Sequence, residues 1–310
     1  MPSSSSVLLE QFFLSVSTMR SLLFVPADSP RKLAKGLESG ADALILDLED
    51  SIAPLAKESA RMGAAEFLQA HGGRAGTPRL LVRINALDSG LAEADLDAVA
   101  PCAPWAIMLP KAGGGADVQH LGAKLAVREA ENDLSDGLIG ILPIVTETAA
   151  AIFTMGSYRG ASRRLRAMTW GAEDLAADIG AQTNRLANGE FSPPFQLARN
   201  LMLFAAAAAE VEAVDTICAN FRDETLLRRE CVEARRDGFT GKMAIHPAQV
   251  AIINDVFMPP AEDIERARAI VAAFADNPGA GVLAIDGAMI DRPHLRQARR
   301  LLDRIAAISG

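Results

Sequence analysis

The segment Leu44–Pro54, LILDLEDSIAP, sets Asp47, Glu49 and Asp50 within four positions directly behind an apolar run. Leu44, Ile45 and Leu46 are apolar on both faces, as suits a buried parallel strand. Carboxylates gathered at the end of such a strand call for a compensating cation, because an unpaired charge is costly to desolvate. A metal or a basic ligand is expected there. The competing reading is a solvated strand end with Asp50 or Ser51 opening the next helix. Chemistry-bearing residues recur behind other apolar runs: Arg83 in LLVRIN, Lys111 in LPK, Glu147 in IVTE, Glu173 and Asp174 in WGAEDL, and His246 in IHP.

Glu147 and Asp174 can share one divalent cation. Two carboxylates, with substrate and waters completing an octahedron of oxygens, suit Mg²⁺ or Mn²⁺ rather than zinc. Alternatively, each caps the helix that follows its strand. Arg83 carries the planar fork that grips a carboxylate, and an ion pair with Glu49 is a structural use of the same side chain. Lys111 would need to be a free amine to form an imine, and the surrounding acids favour the ammonium. His246, next to Pro247, reads as a helix-start or packing residue.

These residues need a frame that brings strand ends together. Apolar runs at Ser21–Val25, Ala43–Asp47, Leu80–Ile84, Ala106–Leu109, Leu138–Val145, Ala167–Thr169, Asp215–Ile217 and Lys242–Ile245 alternate with helical patterns such as Pro30–Ser39, Leu55–Ala70, Val118–Glu131, Pro194–Val211 and Asp223–Asp237. Eight βα units predict an α/β fold, a closed (β/α)8 TIM barrel, whose reactive groups stand at the C-terminal ends of the strands. An open doubly wound sheet is disfavoured, since no Gly-rich dinucleotide fingerprint follows the first strand. Gly113–Gly115 reads as a flexible loop. Helical patterns at Ala261–Ala275 and His294–Ile308, split by a Gly-containing break at Asn277–Gly281, predict a C-terminal helical arm or lid. The expected organisation is a disordered leader over 1–19, a barrel over 20–258 and an arm over 259–310.

The chain has 310 residues, half of them hydrophobic and only 5% aromatic, so its core is built from Ala, Leu, Ile and Val. A net charge of −8 argues against nucleic acid as a partner. Cys102, Cys218 and Cys231 lie in apolar contexts without zinc-site spacing, which fits a reduced, cytoplasmic protein. No apolar run reaches the ~18–20 residues of a membrane span. The N-terminal VLLEQFFLSV is broken by Glu10 and has no preceding Lys or Arg, so it does not read as a signal peptide.

Taken in order, RSLLFVPADSPRKL, LILDLEDSIAP, LLVRIN, LPK, the Glu147 segment, WGAEDLAADIG, IHPAQV and GAMIDRP resemble the citrate lyase β-subunit-like branch of the HpcH/HpaI aldolase superfamily. The resemblance runs from about Arg20 to the C-terminus. It implies a Mg²⁺-dependent carbon–carbon lyase on a (β/α)8 barrel, assembled as a homotrimer or a multiple of trimers. Its implied substrates are malyl-, citramalyl- or citryl-thioesters and 2-oxo acids. Related thioesterases and lyase subunits acting on an acyl-carrier protein belong to the same branch, and a non-catalytic binding barrel is the alternative of another class.

Carried over by position, Glu147 and Asp174 resemble the metal ligands and Arg83 the arginine on the substrate carboxylate or carbonyl. Asp291, in GAMIDRP, resembles an acid/base aspartate that one subunit's arm lends to a neighbour's site. Arg31 and Lys35 fall where coenzyme A phosphates are held, and Glu49, Asp50 and Lys111 stand around the centre as supporting residues. Two departures matter. The superfamily's pyruvate-type aldolases carry a histidine base in a D-x-E-H pattern, where this chain has Asp47-Leu48-Glu49-Asp50, which favours the thioester branch. PADSP also replaces the PGxRP of many relatives, which changes the expected coenzyme A grip.

Overall fold

The structure, a computed structural model, describes residues 19–309. The expected leader lies, apart from Met19, outside the described residues. Two compact units are distinguished, Arg20–Phe257 and the segment from Met258 onward.

The larger unit contains eight parallel strands: β1 (Ser21–Pro26), β2 (Ala43–Asp47), β3 (Arg79–Arg83), β4 (Ala106–Leu109), β5 (Gly140–Pro143), β6 (Ala167–Thr169), β7 (Glu212–Asp215) and β8 (Gly241–Ala244). Their order is β5-β4-β3-β2-β1-β8-β7-β6. The remaining gap is bridged by single parallel contacts, Ile141 to Leu165 and Ile144 to Thr169, with Val145 N donating to Thr169 O at 3.0 Å. The barrel is therefore closed, with its least regular join between β5 and β6. Strand β2 is buried along its whole length, its four apolar residues covered on both faces and the terminal Asp47 buried with them.

Around the strands lie α1 (Pro30–Leu37), α2 (Lys57–His71), α3 (Ala92–Val99), α4 (Gly115–Glu131), α5 (Ala149–Ile152), α6 (Glu173–Asp178), α7 (Pro193–Ala209), α8 (Glu224–Asp237) and α9 (Pro247–Phe257). One contiguous core joins their inner faces to the strands, and residues such as Leu44, Leu46, Trp170 and Phe195 are fully buried within it. Each such aliphatic side chain contributes about 1.5–3 kcal/mol. Gly36 of α1 illustrates how closely the layers meet, since an added Cβ would lie 3.2 Å from side-chain atoms of Leu44 and Val25.

Three local readings change. Strand β7 ends at Asp215 rather than beginning there, because Asp215 is buried against Lys242 inside the helical layer and its charge hid the strand. Gly113–Gly115 is not a loose loop: Gly113 N donates to Asp117 Oδ2 (2.7 Å), Gly115 N donates to Ser157 Oγ (2.8 Å), and Gly115 opens α4. A 3₁₀ turn at Pro54–Ala56 separates the acidic segment from α2, so neither Asp50 nor Ser51 starts a helix.

The smaller unit contains α10 (Ala261–Asp276), an antiparallel hairpin of β9 (Val282–Ile285) and β10 (Ala288–Asp291), and α11 (Arg292–Ser309). Phe274, Ile270, Ile290, Leu295 and Ala298 form its own core. The hairpin lies just beyond the Asn277–Gly281 break, in a stretch where the sequence predicts no strand. Among the described residues no helix is long and apolar enough to cross a membrane.

Candidate active site

Asp47 ends β2 and Arg83 ends β3, and the parallel register pairs these two positions directly. Their side chains form a two-pronged ion pair, Nε to Oδ1 and Nη2 to Oδ2, both at 2.7 Å. Asp47 also accepts the backbone N–H groups of Glu49 and Ser51, which folds the acidic turn back over the strand end. Burial works against the Asp47 charge, but Arg83 and these donors outweigh it and hold the carboxyl below its usual range. Arg83 stands 4.9 Å from the Phe24 ring centroid, and its Nη1 lies 3.0 Å from Glu49 Oε2 and 3.5 Å from Asp50 Oδ2. The fork of Arg83 is thus spent on Asp47, and Nη1 is the group left facing the other acids. Sequence reading paired Arg83 with Glu49 and gave Asp47 no role of its own.

Lys111 follows β4. Its backbone adopts φ +52°, a strained choice for a residue other than glycine. In that conformation its N–H donates to Glu147 Oε2, while its Nζ reaches Glu49 Oε1 at 2.6 Å and Asp174 Oδ1 at 3.7 Å. Burial works against the ammonium, but Glu49 and Glu147 more than offset this and raise its pKa, so Lys111 stays a cation and not an imine-forming amine.

Glu147 sits four positions beyond β5 and is 4% exposed. It does not cap the following helix, because Thr148 accepts from Ala151 N in that role. Asp174 likewise lies inside the first turn of α6, whose N-cap is Ala172. Thr146 ties the two segments together: its Oγ1 donates to Gly171 O (2.9 Å) and accepts from Gly171 N (3.0 Å). Gly171 leaves Glu147 its space, since a Cβ there would stand 3.0 Å from Glu147 Cγ and the carboxylate side chain would have to give way. Burial pushes the Glu147 carboxyl up to about 8, with Asp174 and Glu49 adding to the rise against the opposing Lys111.

A buried carboxylate beside a second one, with too little positive charge to hold both ionised, is a donor set that fits a hard dication. Among the described residues no group of three His, Cys, Asp or Glu side chains could ligate a metal. The protein would therefore supply two oxygens, leaving the other positions to substrate and water.

Residues without an expected role support the acidic turn. Lys57, at the start of α2, donates from Nζ to Leu48 O (2.6 Å), Glu49 O (2.8 Å) and Asn85 Oδ1 (2.8 Å). Asn85 in turn is held by the buried Asp95, which pairs with Arg61. No motif marks this set, because its members only meet once β2, β3 and α3 are in place. His246 stacks on Phe221 (4.5 Å between centroids) and accepts from Ala248 N, consistent with its helix-start reading. Arg31 and Lys35 are exposed on α1, and neither forms an ion pair among the described residues. In the smaller unit, Asp291 ends β10, and its Oδ1 lies 2.5 Å from His294 Nδ1 and accepts weakly from His294 N (3.4 Å). His294 holds the Asp291 carboxyl below its ordinary range. The capping role of Asp291 is therefore real, and His294 is a partner that sequence reading missed.

Comparison with known proteins places this arrangement. The chain is 33% identical over 301 residues to the mitochondrial citramalyl-CoA lyase of Rattus norvegicus, covering 93% of this chain and 86% of that one. It is 35% identical over 299 residues to the (3S)-malyl-CoA thioesterase of Cereibacter sphaeroides, covering 94% and 96%. A crystal structure of CitE from Mycobacterium tuberculosis in complex with magnesium, acetoacetate and coenzyme A superposes with a TM-score of 0.73 at 30% identity, covering 95% of this chain and 100% of that one. Residues 196–309 match the description C-C bond lyase of the TIM-barrel fold. With residues 20–247 matching HpcH/HpaI aldolase/citrate lyase, the chain belongs to that family.

Proposed function

We propose that the protein is a Mg²⁺-dependent lyase that cleaves, or forms, the carbon–carbon bond of a 3-hydroxy-3-carboxyacyl-CoA thioester, giving a 2-oxo acid and an acyl thioester. The observation that carries this reading is the pair Glu147 and Asp174, one deeply buried and undercompensated, at the barrel rim where Arg83 and Lys111 supply fixed positive charge. Magnesium in the CitE complex, and the activity named for the citramalyl-CoA lyase relative, support it.

Bound by Glu147 and Asp174, Mg²⁺ supplies Lewis-acid stabilisation of the oxygen on which negative charge develops. Arg83, immobilised by Asp47 and Phe24, presents Nη1 to the carboxylate of the oxo-acid portion. Because its fork is already fixed, no reorganisation is needed as charge develops, a form of preorganisation worth on the order of 3 kcal/mol per donor. Lys111, with Arg83, opposes the burial that raises the Glu49 carboxyl above its usual range, and adds a second cation beside Asp174. Asp291 exchanges a proton with the carbon next to the thioester carbonyl. Held below its usual range by His294, it is a carboxylate near neutrality and accepts that proton in the condensation direction. Arg31 and Lys35 offer exposed cationic charge for the phosphates of coenzyme A. The arm beyond Phe257 acts in a neighbouring copy's site, in a trimer or a multiple of trimers.

The test is a coupled assay of purified protein and Mg²⁺ against malyl-, citramalyl- and citryl-CoA, scoring oxo acid and free thiol separately. Stoichiometric oxo acid without thiol is expected. No oxo acid from any of the three, with Mg²⁺ present, overturns the lyase reading. Hydrolysis is the second reading, favoured by the similarity to the (3S)-malyl-CoA thioesterase, and it would release thiol without oxo acid.

A further inference from the structure

The connection between α6 and α7 contains a small hairpin that none of the site chemistry uses. Arg185 and Phe191 form an antiparallel bridge at its base, Leu186 N donates to Glu190 O (2.8 Å), and Gly189 makes the turn at φ +84°. Arg185 Nη1 donates to Gly189 O (2.7 Å) and to Glu230 Oε1 (2.6 Å), and its guanidinium lies 3.9 Å from the Phe191 centroid. Phe191 meets Trp170 edge-on at 4.9 Å, and Trp170 Nε1 donates to Asp215 Oδ1 (2.8 Å). The circuit closes through Lys242, fully buried on β8, whose Nζ is 2.9 Å from Asp215 Oδ2 and 3.1 Å from Glu230 Oε2.

A buried lysine between two carboxylates is a costly anchor unless it fixes something, since desolvation consumes much of the Coulomb gain. What it fixes is the hairpin base. From that base Asn184, itself buried, donates from Nδ2 to Glu173 Oε1 at 2.9 Å. Glu173 shares the first turn of α6 with Asp174, and that helix has no side-chain cap of its own. Its first turn is held from the hairpin instead.

We propose that Asn184 and Arg185 are positioning residues for Asp174: the hairpin Thr183–Phe191, moored on Lys242, sets where the Asp174 carboxylate stands. This rests on the reading of Asp174 as a metal ligand. Partners that orient ligating carboxylates typically carry about 10–100-fold in metal affinity. Asn184→Ala, which leaves the buried cluster intact, and Arg185→Met are therefore expected to weaken Mg²⁺ binding about 10-fold by calorimetry. Amides of α6 are expected to exchange faster with solvent in both metal-free variants, while the strands keep wild-type protection. Wild-type Mg²⁺ affinity in both variants, or unchanged exchange across Glu173–Asp178, overturns the proposal. Should Asp174→Ala bind Mg²⁺ as wild type does, the ligand assignment is what fails, and the exchange measurement alone decides on the strut.

Discussion

Magnesium binding should be strongly pH-linked, through one carboxyl group. Glu147 titrates near 8 in the folded protein, raised by burial and by the neighbouring Asp174 and Glu49. A ligand must be deprotonated to bind, so metal and proton compete. The apparent affinity is reduced by a factor of 1 + 10^(8 − pH), which is about 100-fold at pH 6, about 11-fold at pH 7 and about 1.1-fold at pH 9. At pH 7 each Mg²⁺ bound should therefore displace about 0.9 proton. Titration calorimetry in two buffers of different ionisation heat measures that number directly. Metal-free stability runs the other way. The folded state keeps a proton that the unfolded chain releases near 4.5, so stability falls as pH rises from about 4.5 to 8, and saturating Mg²⁺ restores it. Glu147→Gln should abolish the pH dependence along with most of the affinity. A dissociation constant that stays flat between pH 6 and 8 in the wild type, with no proton release, would refute the argument at its root.

Other outcomes follow from the same geometry. Arg83→Lys keeps the charge but loses the two-pronged grip on Asp47; KM for the oxo acid should rise at least about 10-fold, the scale of one charged hydrogen bond, and an unchanged KM in steady-state kinetics counts against the clamp. Gly171→Ala places a methyl group 3.0 Å from Glu147 Cγ. It should weaken Mg²⁺ binding by about 10-fold while shifting the melting temperature little, as a thermal melt beside a metal titration will tell. Asp291→Asn should leave substrate binding intact and lower kcat by about 10²–10⁴, the range for a general acid–base group; undiminished kcat returns Asp291 to capping α11.

The barrel was legible because most of its strands are short runs with an apolar centre, and because reactive side chains stood at their ends. Glu147, Asp174, Arg83 and Lys111 are singled out by that rule. Strand β7 was misplaced because Glu212 and Asp215 are charged, and only the packed structure reveals the buried Lys242 that makes Asp215 tolerable there. Thr146, Lys57 and His294 left no signal, since their partners are brought to them by folding. The β9–β10 hairpin was hidden for a different reason. Two half-exposed strands of four residues around a Gly287 turn are too short, and too uniformly apolar, to show an alternation. Asp291 was reached through family resemblance, which reads order along the chain rather than local pattern.

The join between β5 and β6 has a consequence of its own. Seven neighbouring strand pairs share continuous ladders, whereas this pair is held by isolated bridges and the Thr146 hydroxyl. Glu147 leaves the wall on one side of that seam and Asp174 on the other. An ion gripped by both carboxylates would act as a latch across the weakest stave of the cylinder, so occupancy and closure become one equilibrium. Slower solvent exchange at the Val145 amide on adding Mg²⁺ would be its signature, and identical exchange with and without the ion would leave the seam a matter of packing alone.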